Sequence, residues 1–273
     1  MTRPFDFTGK SVFVAGGSSG INLGIAEAFA AAGASLAIAS RSQERVDRAC
    51  EQLRRHGGKV LGKSADVRDF AAISAALAAA HDAFGAIDVL VSGAAGNFPA
   101  PALGMSANAF KVVIDIDLIG TFNVLRAGHP YLRKPGAAVI NISAPQSFNP
   151  MPLQVHACAA KAGVDQVMRV LAMEWGGDGL RVNSIAPGPI EGTEGFKRLS
   201  GSAEVRQKME SRIPLRRFGT LADCADLALF LASPLASWIT GALIPVDGGW
   251  SLYGGGLSST QMALEAGAVP GRG

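Results

Sequence analysis

The sequence predicts an α/β fold, a single domain built on a doubly wound parallel sheet of about seven strands with helices on both faces. Three observations lead there. Short apolar runs of strand length alternate with longer, Ala-rich segments of helical period. The runs are apolar throughout rather than at every second residue, as strands buried on both sides are. No linker or shift of composition divides the 273 residues, and with 48% hydrophobic against 17% charged residues one large core can form.

The elements follow in order. Strands are read over residues 11–15, 35–39, 60–64, 89–92, 138–142, 181–185 and 243–246. Helical patterns fill the spaces between them, over 24–32, 44–56, 71–84, 107–132, 155–175 and 222–231. Two segments break this rhythm. Residues 188–217 are polar, long and glycine-bearing, as expected of a substrate loop with short helices covering a site. Residues 254–273 are Gly/Ser-rich and then partly apolar, a tail expected either to be mobile or to dock on a neighbouring subunit.

Bulk properties narrow the function classes. A net charge of +3 does not suggest a nucleic-acid partner, although the small excess of Lys and Arg suits an anionic substrate. Cys50, Cys158 and Cys224 are odd in number and far apart, which fits free thiols in a reducing cytoplasm better than a disulfide framework. No stretch reaches the length of a membrane span, the first residues carry no apolar signal, and Pro270-Gly271-Arg272-Gly273 is not a peroxisomal address of the Ser-Lys-Leu kind. A cytoplasmic protein without membrane insertion is expected.

After the first strand, Ala15-Gly16-Gly17-Ser18-Ser19-Gly20-Ile21-Asn22-Leu23-Gly24 opens a helix. Glycines let such a turn fold tightly and let backbone N–H groups approach a pyrophosphate, which the positive end of the helix then favours. Its place between the first strand and first helix of a βαβ unit makes this a Rossmann-type dinucleotide loop. The second strand ends Ile38-Ala39-Ser40-Arg41-Ser42 with no acidic residue for a ribose 2′-hydroxyl. Arg41 can instead pair with a 2′-phosphate, which favours NADP(H); a solvated surface arginine is the alternative.

Taken together the motifs resemble the short-chain dehydrogenase/reductase family, from Lys10 to about Tyr253. The resemblance is carried by the Gly16/Gly20 loop, Asp66-Val67, Ser92-Gly93-Ala94-Ala95-Gly96, the helix bearing Lys161, Asn183-Ser184-Ile185-Ala186-Pro187-Gly188, Thr240-Gly241 and Asp247-Gly248-Gly249. It implies cofactor contacts from Gly16, Ser18, Ser19, Gly20, Ile21, Arg41, Asp66, Val67, Ala94, Gly96, Lys161, Pro187, Gly188 and Ile190. It also implies a homotetramer.

The departures from the family pattern matter more. Asn22 stands where the loop usually has glycine. The family's catalytic serine falls on Ala144, its tyrosine general acid on Ala157 and its asparagine on Asp117, so only Lys161 is retained. Ser143 lies beside Ala144, but strand alternation points it elsewhere. One branch is similar in these departures, the peroxisomal-type 2,4-dienoyl-CoA reductases. The shared segments include Ala94-Ala95-Gly96-Asn97-Phe98, Asp115-Ile116-Asp117, Leu153-Gln154-Val155-His156-Ala157 and Gly192-Thr193-Glu194-Gly195. That branch implies NADPH-dependent reduction of a dienoyl thioester to a 3-enoyl-CoA in the β-oxidation of unsaturated fatty acids. A trans-2-enoyl-CoA reductase, or an inactive NADP-binding scaffold, are the rival readings.

The substitutions fit that chemistry. Reduction of a ketone needs an acid at the oxygen beside the hydride acceptor. Reduction of a conjugated thioester spreads charge to a remote oxygen and ends with a proton on carbon, so no tyrosine at that place is required. Asp117 and Lys161 are the catalytic candidates, with Lys161 at the nicotinamide ribose and Asp117 ordering a water with it. For each a quieter role is open: ribose binding alone for Lys161, and packing with a backbone bond for Asp117. Asn97 and Phe98, at the carboxyl end of the fourth strand, are expected to line the acyl pocket. His156 either meets the acyl chain or is a packed, satisfied histidine, and Cys158 is expected to be small and buried. His56, His81 and His129 lack ligand spacing, so no metal is expected. Lys197, Arg198, Arg216 and Arg217 are candidates for CoA phosphates, or simply solvated charge.

Overall fold

The computed structural model describes residues 5–194, 196 and 203–253. Its strands are β1 (Ser11–Ala15), β2 (Ser35–Ser40), β3 (Val60–Ser64), β4 (Val89–Ser92), β5 (Ala138–Ile142), β6 (Arg181–Pro187) and β7 (Leu243–Val246). They form one seven-stranded sheet in the order β3-β2-β1-β4-β5-β6-β7, and all the pairings are parallel. The chain therefore works outward from β1 to β3, then crosses back to β4 and works outward the other way. The reversal between β1 and β4 opens a crevice at the carboxyl ends of these strands, where ligands of such sheets bind.

The helices are α1 (Gly20–Ala31), α2 (Gln43–Arg54), α3 (Phe70–Phe84), α4 (Ala107–Val113), α5 (Gly120–Gly128), α6 (Val155–Trp175), α7 (Ala203–Ser211) and α8 (Leu221–Ala232). Strand alternation divides the core between the two faces. Val12 and Val14 pack with Ile25 and Phe29 of α1, Leu53 of α2 and Ala228 of α8. Phe13 and Ala15 turn to the other side, against Ile73 and Leu77 of α3, Val124 of α5 and Met168 of α6. Burying each large apolar side chain of this kind contributes about 1.5–3 kcal/mol, so both faces must be covered and the strands read as continuously apolar.

The long helical pattern over 107–132 is not one helix. It consists of α4, a π-helical turn at Ile114–Ile119, α5 and a 3-10 turn at His129–Tyr131. Gly120 follows the π turn and packs so closely that an added Cβ would stand 2.5 Å from Val67 Cγ2. Pro130 closes the pattern, because it lacks the N–H a further turn needs. The first helix starts earlier than its apolar period suggests, directly at Gly20 (φ +57°). In the loop after β6, Phe196, Ile213 and Phe218 make a small apolar cluster of their own. Lys197, Arg198 and the tail 254–273 lie outside the described residues. Among the described residues no helix is long and apolar enough to cross a membrane.

Cys50 and Cys224 are buried free thiols, and burial pushes Cys224 up to about 12. Cys158 is only half-buried, contrary to expectation, because its place on α6 turns it toward the Met151 loop. Alkylation of the folded protein should therefore label Cys158 and spare Cys224; equal labelling under native conditions would contradict this burial.

Helix α8 is held by a capping box, with Thr220 Oγ1 accepting from Asp223 N at 3.3 Å and Asp223 Oδ2 accepting from Thr220 N at 2.7 Å. Thr220→Ala should cost about 1 kcal/mol, or about 2–4 °C of Tm in a thermal melt, and an unchanged Tm would count against the cap.

Candidate active site

A cavity of about 650 Å³ lies in the crevice between the loops after β1 and β4, within the usual range of roughly 300–1,000 Å³ for ligand sites. The glycine loop forms one wall. Gly16 has φ +80°, and a Cβ there would stand 2.9 Å from Ala94 N, so the turn after β1 and the loop after β4 touch backbone to backbone. Ser18 donates to Ser40 Oγ at 2.9 Å and ties the loop to the end of β2. Helices α2, α3, α4 and α8 have side-chain caps from Ser42, Asp69, Ser106 and Thr220, whereas Ser19 at the start of α1 forms none. The first N–H groups of α1 thus face the cavity without a side-chain acceptor, which is the chemistry that holds a phosphate.

Asn22 explains its departure from glycine. Its Nδ2 donates to Gly93 O at 2.7 Å, clamping the start of α1 to the end of β4 across the crevice. Gly93 is matched to it, since a Cβ there would collide with the Asn22 amide. Sequence reading marked Asn22 as unusual but not as a clamp, because its partner is 71 residues away.

Beyond β2, Arg41 and Arg45 border the cavity, and the end of β2 brings no acidic residue to it. Asp66 is gripped by the Arg68 guanidinium at 2.6 and 3.0 Å. That hydrogen bond holds its carboxyl below the usual range, with burial opposing and Arg41 adding a weaker pull.

A buried ion pair borders the cavity. Asp117, carried inward on the π turn, is 1% exposed. Its Oδ1 accepts from Gly96 N at 2.7 Å, and its Oδ2 stands 3.3 Å from Lys161 Nζ. Lys161, on α6, also donates to Ile142 O at 3.0 Å. One carboxylate oxygen of Asp117 thus has a backbone donor and the other faces an ammonium, as a buried charge requires. Ala144 and Ala157 border the same space with methyl groups. Ser143 does turn away, as strand alternation required: its hydroxyl donates to Asp165 Oδ2 at 2.9 Å.

Every other position singled out as cofactor-binding, from Gly16 to Ile190, borders this one cavity, together with Asn97 and Phe98. Gln146, which the sequence did not single out, also lines it, as do Gln154 and Thr193, which lie in the shared segments but had been given no role. No periodicity marks them; only the meeting of three loops does.

His156 does not reach the cavity, which corrects its assignment to the substrate. It is fully buried behind Phe98, with ring centroids 4.4 Å apart. It is packed but not satisfied: neither ring nitrogen has a hydrogen-bond partner of normal geometry among the described residues. Arg216 and Arg217 are also placed elsewhere. Arg217 pairs with both Asp223 oxygens at 2.8 Å, and Arg216 donates to Ser211 O. Among the described residues no group of three or more His, Cys, Asp or Glu is placed to hold a metal ion.

The fold matches that of known proteins. A short-chain type dehydrogenase/reductase from Mycobacterium ulcerans superposes with a TM-score of 0.85 at 31% identity, covering 90% of this chain and 91% of the other. A family model described as enoyl-(acyl carrier protein) reductase matches residues 15–251. The chain belongs to the short-chain dehydrogenase/reductase family. Within that family it is 48% identical over 242 residues to a peroxisomal 2,4-dienoyl-CoA reductase [(3E)-enoyl-CoA-producing] of Pongo abelii, covering 88% of this chain and 83% of the relative. It is 41% identical over 255 residues to the protein of that description in Saccharomyces cerevisiae, covering 92% and 87%.

In this short-chain dehydrogenase/reductase, burial pushes the His156 imidazole below its ordinary pKa, while the Phe98 backbone and the Asp117 charge oppose the shift. The unfolded chain then binds the proton more readily, so stability is full above the unfolded pKa of about 6.5 and falls as pH drops below it. The Tm should decline between pH 7 and 5.5, and His156→Phe should flatten that decline; parallel curves for parent and variant would contradict the placement of His156.

Proposed function

We propose that this chain is an NADPH-dependent 2,4-dienoyl-CoA reductase, converting a conjugated dienoyl thioester to a 3-enoyl-CoA in the β-oxidation of unsaturated fatty acids. One observation carries the reading: the Asp117–Lys161 pair occupies the cavity beside Ala144 and Ala157, where hydroxyl donors for ketone chemistry are missing. The identity to relatives named 2,4-dienoyl-CoA reductase supports it.

The residues present fit a dinucleotide. The uncapped start of α1 and the Gly16–Gly20 turn suit the pyrophosphate, with Ser18, Ser19 and Ile21 around it. Arg41, with Arg45 beside it and no acid from the end of β2, suits a 2′-phosphate. Asp66, Val67, Ala94, Gly96, Pro187, Gly188 and Ile190 border the remaining length of the crevice, and Lys161 is the candidate for the nicotinamide ribose. When bound, NADPH supplies the hydride for the δ-carbon of the substrate.

The protein's own groups then handle charge and proton. Charge developing on the acyl group is stabilised by the positive potential of Lys161. The α-carbon must gain a proton, and a water held between Asp117 and Lys161 delivers it. Gly96 N anchors one Asp117 oxygen and leaves the other to that water and to Lys161. Asn97 and Phe98 line the acyl end. We further assign a homotetramer as the working unit. The free thiols favour a reducing compartment, the cytoplasm in our reading, although the relatives are named peroxisomal.

The test follows NADPH oxidation with 2,4-hexadienoyl-CoA, crotonyl-CoA and acetoacetyl-CoA in parallel. Turnover with the dienoyl substrate alone is expected. Crotonyl-CoA as the better substrate would make the chain a trans-2-enoyl-CoA reductase, and no turnover with any would make it a binding scaffold.

Asp117→Asn, which keeps the shape and the Gly96 bond but removes the charge, should lower kcat at least about 100-fold. Lys161→Met should do the same. Either change alone strands a buried charge, so the double variant should regain stability but not activity; a fully active Asp117→Asn enzyme would refute the relay. Arg41→Ala should raise KM for NADPH while leaving KM for NADH nearly unchanged, and equal effects would refute the 2′-phosphate assignment.

A further inference from the structure

With Ala144 and Ala157 in place of side-chain donors, the thioester oxygen needs another partner, and the cavity offers few. Lys161 is engaged with Ile142 O and Asp117, and Ser143 with Asp165. Asp117 accepts from Gly96 N and is ion-paired with the lysine. There remains a cluster of three carboxamides from three loops. Gln154 Oε1 accepts from Asn97 Nδ2 at 2.7 Å and from Gln146 Nε2 at 3.0 Å.

Two donors on that oxygen set the amide plane of Gln154 and turn its NH₂ the other way. Among the described residues its only partner there is the Met151 thioether, 3.9 Å off and a weak acceptor. The backbone shows a second sign of constraint. Leu153 adopts φ +67°, a left-handed conformation that a bulky side chain rarely takes, and its carbonyl is held by Ala100 N at 2.8 Å. Gln154 is also the N-cap residue of α6, yet its side chain makes no capping bond and borders the cavity instead. Strain and an unused cap thus combine to present one amide N–H₂ beside Ala157.

We propose that Gln154 Nε2 is the hydrogen-bond donor to the thioester carbonyl oxygen, and that Asn97 and Gln146 are positioning residues which orient it. The inference rests on the dienoyl-CoA reading above. As hydride adds to the δ-carbon, the γ,δ π pair moves to the β,γ bond, the α,β pair moves to the carbonyl–α bond, and the carbonyl π pair becomes charge on oxygen. Gln154 stabilises that charge and keeps its own protons. When the α-carbon takes a proton from the water, Lys161 returns one to the hydroxide left behind and is itself reprotonated from solvent; the oxygen returns to a carbonyl, and the β,γ double bond remains.

The test uses Gln154→Leu with two readouts. The first is kcat/KM for 2,4-hexadienoyl-CoA, expected to fall about 100-fold while the affinity for NADPH stays as in the parent. The second is binding of 2,4-hexadienoyl-CoA, and of the thioether analogue that lacks the carbonyl oxygen, to the enzyme loaded with NADP⁺. The parent should prefer the thioester about tenfold, and Gln154→Leu should erase the preference. Gln146→Leu, which leaves Asn97 to orient the amide, should give intermediate losses in both and serves if Gln154→Leu does not fold. A variant within threefold of the parent in kcat/KM, with the thioester preference intact, would overturn the proposal. A parent that binds with this preference but does not reduce the dienoyl substrate would refute the function and leave the donor standing, because the binding readout needs no turnover.

Discussion

The site depends on one constraint: an ion pair, Asp117 with Lys161, taken almost wholly out of water. A buried carboxylate and ammonium are stable only if each finds further hydrogen bonds. Here Gly96 N supplies one to the acid and Ile142 O accepts one from the base. Four elements must therefore meet at one point: the loop after β4, the end of β5, the π turn and α6. The turn is what lets the acid arrive. In the regular helix expected over 107–132 the residues would follow a single period, whereas the π turn shifts that period just where Asp117 points inward.

The pair also gives meaning to the two alanines. A hydroxyl at 144 or 157 would offer a proton to an oxygen next to the carbon receiving hydride. In a conjugated thioester that carbon lies at the far end of the π system, so the useful proton source is one that serves carbon. A carboxylate and a lysine sharing a water do this, and a neutral amide such as Gln154 can hold the distant oxygen without protonating it. The four departures at 22, 117, 144 and 157 then divide into two groups. Asn22 serves the cofactor side by clamping the start of α1 to the end of β4, and the other three belong to the proton and oxygen chemistry.

Much of this was legible in the sequence, because period and apolar content determine which segments become buried strands. The seven strands and the dinucleotide loop stand where the patterns put them, to within a residue or two. What the sequence concealed was set by contacts between distant residues. The break in the 107–132 helix falls just before Gly120, which packs against Val67 from a distant part of the chain. His156 was read as packed and satisfied or as substrate-facing; it is packed, under Phe98 from another loop, and neither ring nitrogen makes a hydrogen bond of normal geometry among the described residues. Arg217 was a candidate for an anionic ligand, but the cap of α8 uses it through Asp223. Asn97 was placed at the site by its position after β4, but that its amide meets those of Gln146 and Gln154 had no local signature.

The central claim is that the pair delivers a proton to carbon, and the most direct measurement is the position of solvent label in the product. The reaction with 2,4-hexadienoyl-CoA is run in D₂O with unlabelled NADPH, and the product is read by NMR. The account predicts a 3-enoyl-CoA carrying one deuterium, on the α-carbon. Deuterium on the δ-carbon, or a 2-enoyl product with none at the α-carbon, would contradict it.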